Sequence, residues 1–386
     1  MGSSRPVLIS FVATFLKREM LHVYRQTTNL QRYDNWIVTR RRENAELFPA
    51  PKVIELPRHP LRTLQRAVCR IGKRRITLDP AECRALSGLC RQSKARVLHV
   101  YFGTEAARCL PFLRTARIAK VVSFHGVDLS EKMNPAEVEA LRAHVDLFLC
   151  RSKSLADALA ERQVDPSLIR LNYTGVPVPP QAHRPTDGRP LRLLQACRFM
   201  AKKGLDTTVH ALAILRRGGH DMSLTLAGDG PEMPALRKLV SSLGLDESVH
   251  FTGFLEPDEL ARLYGEHDLF LHPSRTTAQG DREGIPNALL EAMAHGLPVV
   301  STRHSGIPEA VVHGETGWLI DESEPEGLAR AIRTLADSAG ERGRLGAQAR
   351  RTITERFSTS ACIDALESCY DEACVLAGTR REVVRS

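Results

Sequence analysis

Strand-length apolar runs alternate with helical patterns along nearly all 386 residues, and this alternation narrows the fold more than any other feature. In the first half the apolar runs fall at 7–14, 36–39, 53–56, 97–101, 120–124, 146–149 and 169–172. In the second half they fall at 191–197, 222–227, 249–251, 269–272, 298–301 and 317–320. Helical patterns fit between them, for example at 15–30, 136–143, 154–162, 207–215 and 232–243. Such β-α alternation implies parallel sheets covered by helices on both faces. A single sheet holding all of these strands would be unusually wide, so two α/β sheets are the expected architecture.

The expected division lies at 177–190, PVPPQAHRPTDGRP, which is proline-rich and polar and has no apolar period. This reading gives an N-terminal domain at 1–178, a linker at 179–190 and a second domain at 191–360. Residues 361–386 are expected to form a C-terminal helix packing back toward the first domain. The charge balance changes sign at the same place. Residues 1–190 hold 32 Lys+Arg against 17 Asp+Glu, and the remainder holds 22 against 28. The basic half suits an anionic surface or substrate. No apolar run approaches the length of a membrane span, and the N-terminus lacks a secretory signal pattern. Nine cysteines without a Cys-x-x-Cys pair argue for reduced thiols in the cytoplasm and against a zinc site. With 5% aromatic residues and no nucleic-acid motif, nucleic-acid binding is a weak reading.

The chemically informative run is EGIPNALLE, from Glu283 to Glu291. A helix is predicted at 286–295, with Pro286 in its first turn and Gly296 as its stop. Ala288, Leu289, Leu290, Ala292 and Met293 leave almost no polar face, so the helix is expected to be buried and Glu291 to need a partner. Taken alone, a buried Glu is more often half of a structural ion pair than a ligand contact. First-turn amides preceded by Gly284 form an anion site. Carboxylates suited to sugar hydroxyls thus stand beside amides suited to phosphate, as a sugar nucleotide requires. Arg198 and Lys203 follow the strand at 191–197, where fixed cations suit a diphosphate. Gly228, Asp229 and Gly230 occupy another βα turn, whose glycines permit close backbone approach by a ligand, though an ordinary tight turn reads the same. Neither the Gly-x-Gly-x-x-Gly fingerprint nor a Walker P-loop is present.

In order, these pieces resemble the donor-binding half of the family 4 retaining glycosyltransferases, the group 1 enzymes with two Rossmann-like domains facing a central cleft (the GT-B fold). The resemblance runs from Leu193 to Ile320. It includes the Arg198…Lys203-Gly204 turn, Gly228-Asp229-Gly230-Pro231, Thr252-Gly253-Phe254, His272-Pro273-Ser274, the two glutamates of the EGIPNALLE run and Ser305-Gly306-Ile307-Pro308-Glu309. It implies that Arg198 and Lys203 bind the donor diphosphate, and that Glu283, Gly284, Ile285, Pro286 and Asn287 hold the donor sugar and phosphate. It implies that Glu291 binds ribose and that Gly253, Phe254 and Leu255 meet the base. In the basic half, His125-Gly126-Val127-Asp128 resembles the family's His-Gly-x-Asp motif, with His125 orienting a hydroxyl or shuttling a proton. The Gly-Gly loop common after the first strand is absent. Thr14 and Lys17 stand there instead, and with Gly126 and Asp128 they make the expected acceptor side.

The implied reaction moves a sugar from a nucleotide diphosphate sugar to a glycan or lipid-linked acceptor with retention, in cell-envelope or exopolysaccharide assembly. No metal or other cofactor is expected, because cations and amides replace it and the chain has no Asp-x-Asp motif. Two alternatives are a non-catalytic, membrane-attached nucleotide-sugar binder and a disaccharide phosphorylase. Donor hydrolysis separates the first, and phosphate-dependent release of a sugar phosphate reveals the second. A basic amphipathic pattern at 61–75 adds a membrane hypothesis. Leu61, Leu64, Val68 and Ile71 recur at helical spacing among Arg62, Arg66, Arg70, Lys73, Arg74 and Arg75. A solvated surface helix fits that pattern equally well. Peripheral attachment to the inner face of the cytoplasmic membrane is the corresponding expectation.

Overall fold

The structure is a computed structural model that describes residues 5–17, 20–57, 75–125, 128–129, 133–182 and 191–385. It divides into two compact units, Met1–Gly175 with Thr359–Ser386, and Val176–Ser358. These limits differ from the expected 1–178, 191–360 and 361–386, and residues 183–190 of the expected linker lie outside the described residues.

The first unit contains β1 (Val7–Phe11), β2 (Thr14–Phe15), α1 (Leu21–Thr28), β3 (Asp34–Thr39), β4 (Arg41–Arg42) and β5 (Val53–Glu55). It continues with α2 (Pro80–Ser93), β6 (Val97–Tyr101), α3 (Gly103–Leu113), β7 (Ala119–Phe124), α4 (Pro135–Arg142), β8 (Leu147–Cys150), α5 (Lys153–Glu161) and β9 (Ile169–Leu171). Seven strands form one sheet in the order β5-β3-β1-β6-β7-β8-β9, with every neighbouring pair parallel. β6 and β8 are buried along their whole length, as expected of strands with helices on both faces.

The expected helix at 15–30 is a correction. Thr14 and Phe15 pair with Arg41 and Arg42 as a separate two-stranded ribbon, and the helix begins only at Leu21. Phe15 and Leu16 are fully buried in a cluster with Val12, Val23, Ile37, Phe48 and Tyr101, and this packing overrides the local helical pattern.

The second unit contains β10 (Leu191–Ala196), α6 (Leu205–Arg217), β11 (Met222–Ala227), α7 (Met233–Ser242), β12 (Val249–Gly253), α8 (Pro257–Glu266) and β13 (Leu269–His272). After these come α9 (Asn287–His295), β14 (Val299–Thr302), β15 (Trp318–Ile320), α10 (Pro325–Ala336) and α11 (Ala339–Thr352). Its six strands run in the order β12-β11-β10-β13-β14-β15, again all parallel. The chain then returns to the first unit as α12 (Thr359–Arg385). Ile363, Leu366, Tyr370 and Ala373 of that helix share a core with Leu8, Val97, Val121 and Leu147 of the first sheet. Buried Glu367 accepts backbone N–H bonds from Gln31 and Arg32, at 2.8 and 2.6 Å.

Each strand order reverses direction once, between β1 and β6 in the first sheet and between β10 and β13 in the second. Open α/β sheets bind ligands outside the carboxyl ends of strands at such a switch point. In the second unit the loops flanking that point are the one after β10, which carries Arg198 to Lys203, and the one after β13, which leads to Glu283.

A candidate nucleotide-sugar site at the switch point of the second sheet

The two loops are locked together by their backbones. Arg275 N donates to Lys202 O at 2.9 Å. Gly204 adopts φ +63°, and a Cβ there would lie 2.0 Å from Pro273 O, so only glycine fits. Gln195, fully buried in β10, donates from Nε2 to Lys203 O at 2.8 Å and accepts from Thr208 Oγ1 at 2.6 Å. Lys203 is therefore held by its own carbonyl.

The predicted cation and carboxylate meet here. Lys203 Nζ forms an ion pair with Glu283 Oε2. Lys202 Nζ lies 3.1 Å from Glu283 Oε1 and 3.1 Å from Asp281 Oδ1. Burial alone would raise the Glu283 pKa. Lys203 and then Lys202 outweigh it and hold the carboxylate at about 2, so Glu283 is ionised throughout the working range. The side chain of Arg198 is exposed and makes no ion pair among the described residues. Beneath the pair, His272 is fully buried, and both ring nitrogens lack a partner among the described residues. Burial first, then Lys203, presses its pKa to about 3.

A second relay fixes the Glu283 backbone. Glu283 N donates to His304 Nε2 at 3.0 Å, and His304 Nδ1 lies 2.6 Å from Glu322 Oε1. Thr276 N donates to the other Glu322 oxygen at 2.8 Å. These bonds assign the Nδ1–H tautomer to His304. Lys202, Gln195, His304 and Glu322 join the site although none of them is among the site residues expected from the sequence.

Helix α9 departs from expectation in two ways. Pro286 is its N-cap, with extended backbone and no side-chain cap, rather than a first-turn residue. The helix is also not buried all round. Asn287, Ala288, Glu291 and His295 form a partly open stripe, while Leu289, Leu290, Ala292 and Met293 face the core. Glu291 sits on that stripe, 3.4 Å from Tyr264 Oη. The uncapped first turn presents its amides beside Glu283. Gly284 meets nothing within 4 Å of a built Cβ, so no internal packing requires glycine there.

The Gly228 and Gly230 reading needs correction. A Cβ on Gly228 would lie 2.0 Å from Cys197 O, and one on Gly230 would lie 2.4 Å from Phe199 O. The close approach these glycines permit is made by the chain's own loop after β10. Asp229 is exposed, and its Oδ1 accepts from Gly230 N at 2.6 Å. Gly253 joins this turn through Gly228 N, which donates to Gly253 O at 2.8 Å. Beside it Phe254 is 59% exposed, an unusual position for a large ring, and Leu255 is half-buried. Ile285 is also half-buried.

On the first unit, His125 directly follows β7 and is 6% exposed. Its ring lies tilted against that of Phe102, with centroids 4.0 Å apart, and Ser123 Oγ lies 3.3 Å from Nε2. Asp128, expected on the acceptor side, is fully buried. Its carboxylate accepts from His125 N at 2.8 Å, Gly103 N at 3.0 Å, Thr104 N at 3.3 Å and Thr104 Oγ1 at 3.1 Å. It holds the start of α3 and the turn after β7 in place. Thr14 lies in the β2 ribbon, Lys17 is exposed, and Gly126 lies outside the described residues. Residues 61–74 of the basic pattern also lie outside them, and Arg75 forms an ion pair with Glu137. No described helix is long and apolar enough to cross a membrane.

Burial, and then the nearby Arg151, depress the pKa values of His22, His99 and His125, with His99 near 3. Below pH 6.5 the unfolded chain binds protons at these rings that the folded chain refuses. Stability therefore falls as pH drops from 6.5, by up to about 1.4 kcal/mol per pH unit for each ring. A thermal midpoint that declines from pH 7 to pH 5 is the expected result, and a flat profile contradicts the neutral assignment.

Two family models match the chain, Glycosyltransferase Family 4 over residues 22–178 and Glycosyl transferases group 1 over residues 181–352. The chain is 36% identical over 262 residues to the putative colanic acid biosynthesis glycosyltransferase WcaL of Salmonella typhimurium, covering 64% of each chain. It is 34% identical over 252 residues to the amylovoran biosynthesis glycosyltransferase AmsK of Erwinia amylovora, covering 63% of this chain and 61% of that one. These curated relatives are thus matched over less than two thirds of their length. Among solved structures, Anabaena Alr3699/HepE in complex with UDP superposes with a TM-score of 0.76 at 18% identity, covering 95% of this chain and 100% of that one. The apo lipopolysaccharide outer core galactosyltransferase WaaB gives 0.72 at 15% identity, covering 95% and 99%. At these identities the likeness shows the fold, two parallel-sheet α/β domains of the GT-B type.

Proposed function

Because this chain belongs to the family 4, group 1 glycosyltransferases, we propose that it transfers a sugar from a nucleotide diphosphate sugar to a glycan or lipid-linked acceptor, with retention of configuration. The observation that carries this reading is the Lys202–Glu283–Lys203 cluster at the switch point of the second sheet, its two lysines on the same loop as Arg198, which has no ion pair among the described residues. A diphosphate reaching Lys203 and Arg198 replaces Glu283 as the countercharge, and the Glu283 oxygens are released to the donor sugar hydroxyls. Arg198, Lys203 and the first-turn amides of α9 then stabilise the charge that grows on the leaving diphosphate. Phe254 offers a stacking face to the base, with Gly253 and Leu255 beside it. His125, neutral and buried, orients the acceptor hydroxyl.

The direct test incubates the purified protein with UDP-, GDP- and ADP-sugars and candidate acceptors, with and without EDTA. Glycosylated product in both conditions is expected. Product that vanishes with EDTA overturns the metal-independent part of the proposal, and release of a sugar phosphate in phosphate buffer replaces it with phosphorolysis. Glu291 is assigned to the ribose hydroxyls. Glu291→Gln is therefore expected to weaken nucleotide binding in calorimetry with little change in unfolding temperature, and unaltered affinity removes that role.

Cell-envelope or exopolysaccharide assembly at the cytoplasmic face of a membrane is the proposed setting. It rests on the basic first half and on the relatives' names as colanic acid and amylovoran biosynthesis glycosyltransferases. Neutralising Arg62, Arg66, Arg70, Lys73 and Arg74 together should abolish co-sedimentation with anionic liposomes, at about 1 kcal/mol per basic residue near the surface. Equal pelleting of variant and wild type ends the membrane assignment.

A further inference from the structure

At the carboxyl edge of the first sheet, α1, the turn after β7, the end of β8 and the segment after β9 bring His125 together with side chains that the reaction above leaves unused. Arg151 directly follows β8 and is half-buried. Its Nη1 donates to Thr174 Oγ1 at 2.6 Å and its Nη2 to Gln26 Oε1 at 3.1 Å. Both acceptors are neutral and buried, and among the described residues no carboxylate forms an ion pair with Arg151, Asp128 acting on it only at longer range. His22 lies one helical turn before Gln26 on α1, so the two share a face. The His22 ring stands 5.6 Å from that of His125, and its Nε2 is buried without a partner among the described residues. Phe102, whose ring packs against His125, holds a φ of +75°, which is rare for an aromatic residue and typical of strain kept at ligand sites.

A guanidinium held partly out of water is costly unless a close countercharge compensates it. A neutral side chain would suffice to tie Gln26 to Thr174, so the charge itself needs a reason. Its place also matters, because the edge it occupies is the one where parallel sheets hold ligands. We propose that Arg151, His22 and His125 bind an oxyanion carried by the acceptor, either a phosphate or a sugar carboxylate. The word acceptor rests on the transferase reading, whereas oxyanion binding does not. Arg151 supplies the charge and the planar fork of donors that such groups match, and the two imidazoles add hydrogen bonds at its side.

The test titrates the full chain with inorganic phosphate, with glucuronate and with glucose by calorimetry, after saturation with a nucleoside diphosphate to occupy the Lys203 locus. Wild type is expected to bind phosphate or glucuronate and to bind glucose more weakly than either. Arg151→Gln should lower oxyanion affinity roughly tenfold or more, and Arg151→Lys should retain part of it. Nucleotide affinity should stay unchanged in both variants. Preference for phosphate identifies a phosphorylated acceptor, and preference for glucuronate an acidic sugar. If Arg151→Gln does not fold, His22→Ala carries the test, with an expected loss of about threefold. Wild type that binds neither oxyanion better than glucose, or variants that bind them as well as wild type, overturn the proposal. Failure of every nucleotide to bind instead counts against the transferase reading, and the Arg151 dependence is then read without nucleotide.

Discussion

Replacing Lys203 with alanine is expected to lower turnover roughly 10²–10³-fold, the cost of removing one preorganised group that stabilises transition-state charge. The side chain is 13% exposed, its carbonyl is held by Gln195, and its ammonium is paired with Glu283. It is therefore already in place when a diphosphate arrives, so the stabilisation requires no reorganisation. Arg198→Ala should give a loss of similar size for a different structural reason. Arg198 is exposed and has no ion pair among the described residues, so its removal leaves folding stability unchanged. Lys203→Ala, in contrast, leaves Glu283 with Lys202 as its remaining cation, and some stability should be lost above pH 4.5, where the carboxylate is charged in both folded and unfolded chains. Turnover at saturating donor, measured beside the thermal midpoint, separates the two. Near-wild-type turnover in Lys203→Ala removes charge stabilisation from the account.

The second large effect concerns Gly204. Alanine there must adopt a left-handed conformation costing about 1–2 kcal/mol. Its Cβ would also meet Pro273 O at 2.0 Å, and overpacking of this kind adds roughly 1–3 kcal/mol. The strain falls on the contact that joins the Lys203 and Glu283 loops. Gly204→Ala is therefore expected to lower both the unfolding temperature and turnover. Gly284→Ala is the control within the same site. Nothing lies within 4 Å of its built Cβ, so stability should stay within about 0.5 kcal/mol of wild type while donor affinity falls. Equal stability of the two variants contradicts the locking role assigned to Gly204.

Much of the fold is visible in residue patterns because parallel strands buried on both faces are continuous apolar runs. β6 at Val97–Tyr101, β11 at Met222–Ala227 and β13 at Leu269–His272 begin and end where those runs do. The pattern misleads where tertiary packing decides. Phe15 and Leu16 read as helix starters, yet they fill a pocket between Val12, Ile37 and Tyr101.

The candidate site divides along similar lines. Arg198 and Lys203 carry charge just after a strand and Glu283 just before a helix, and charge at such turns is legible from sequence alone. Gln195 and His304 carry no such signal, and the charge of Arg151 after β8 gains its meaning only from partners elsewhere in the chain. Gln195 serves the Lys203 carbonyl, His304 the Glu283 amide, and Arg151 the side chain of Gln26. Gly228 and Gly230 look like ligand glycines by the same local logic, and the backbones of Cys197 and Phe199 fill their space instead.

The most direct test of the central claim is a crystal structure with a bound nucleoside diphosphate sugar. The diphosphate should lie within hydrogen-bonding distance of Arg198 and Lys203, with Glu283 turned from the ammonium groups to the sugar. A nucleotide bound elsewhere, with the Lys202–Glu283–Lys203 pairs still closed, would contradict it.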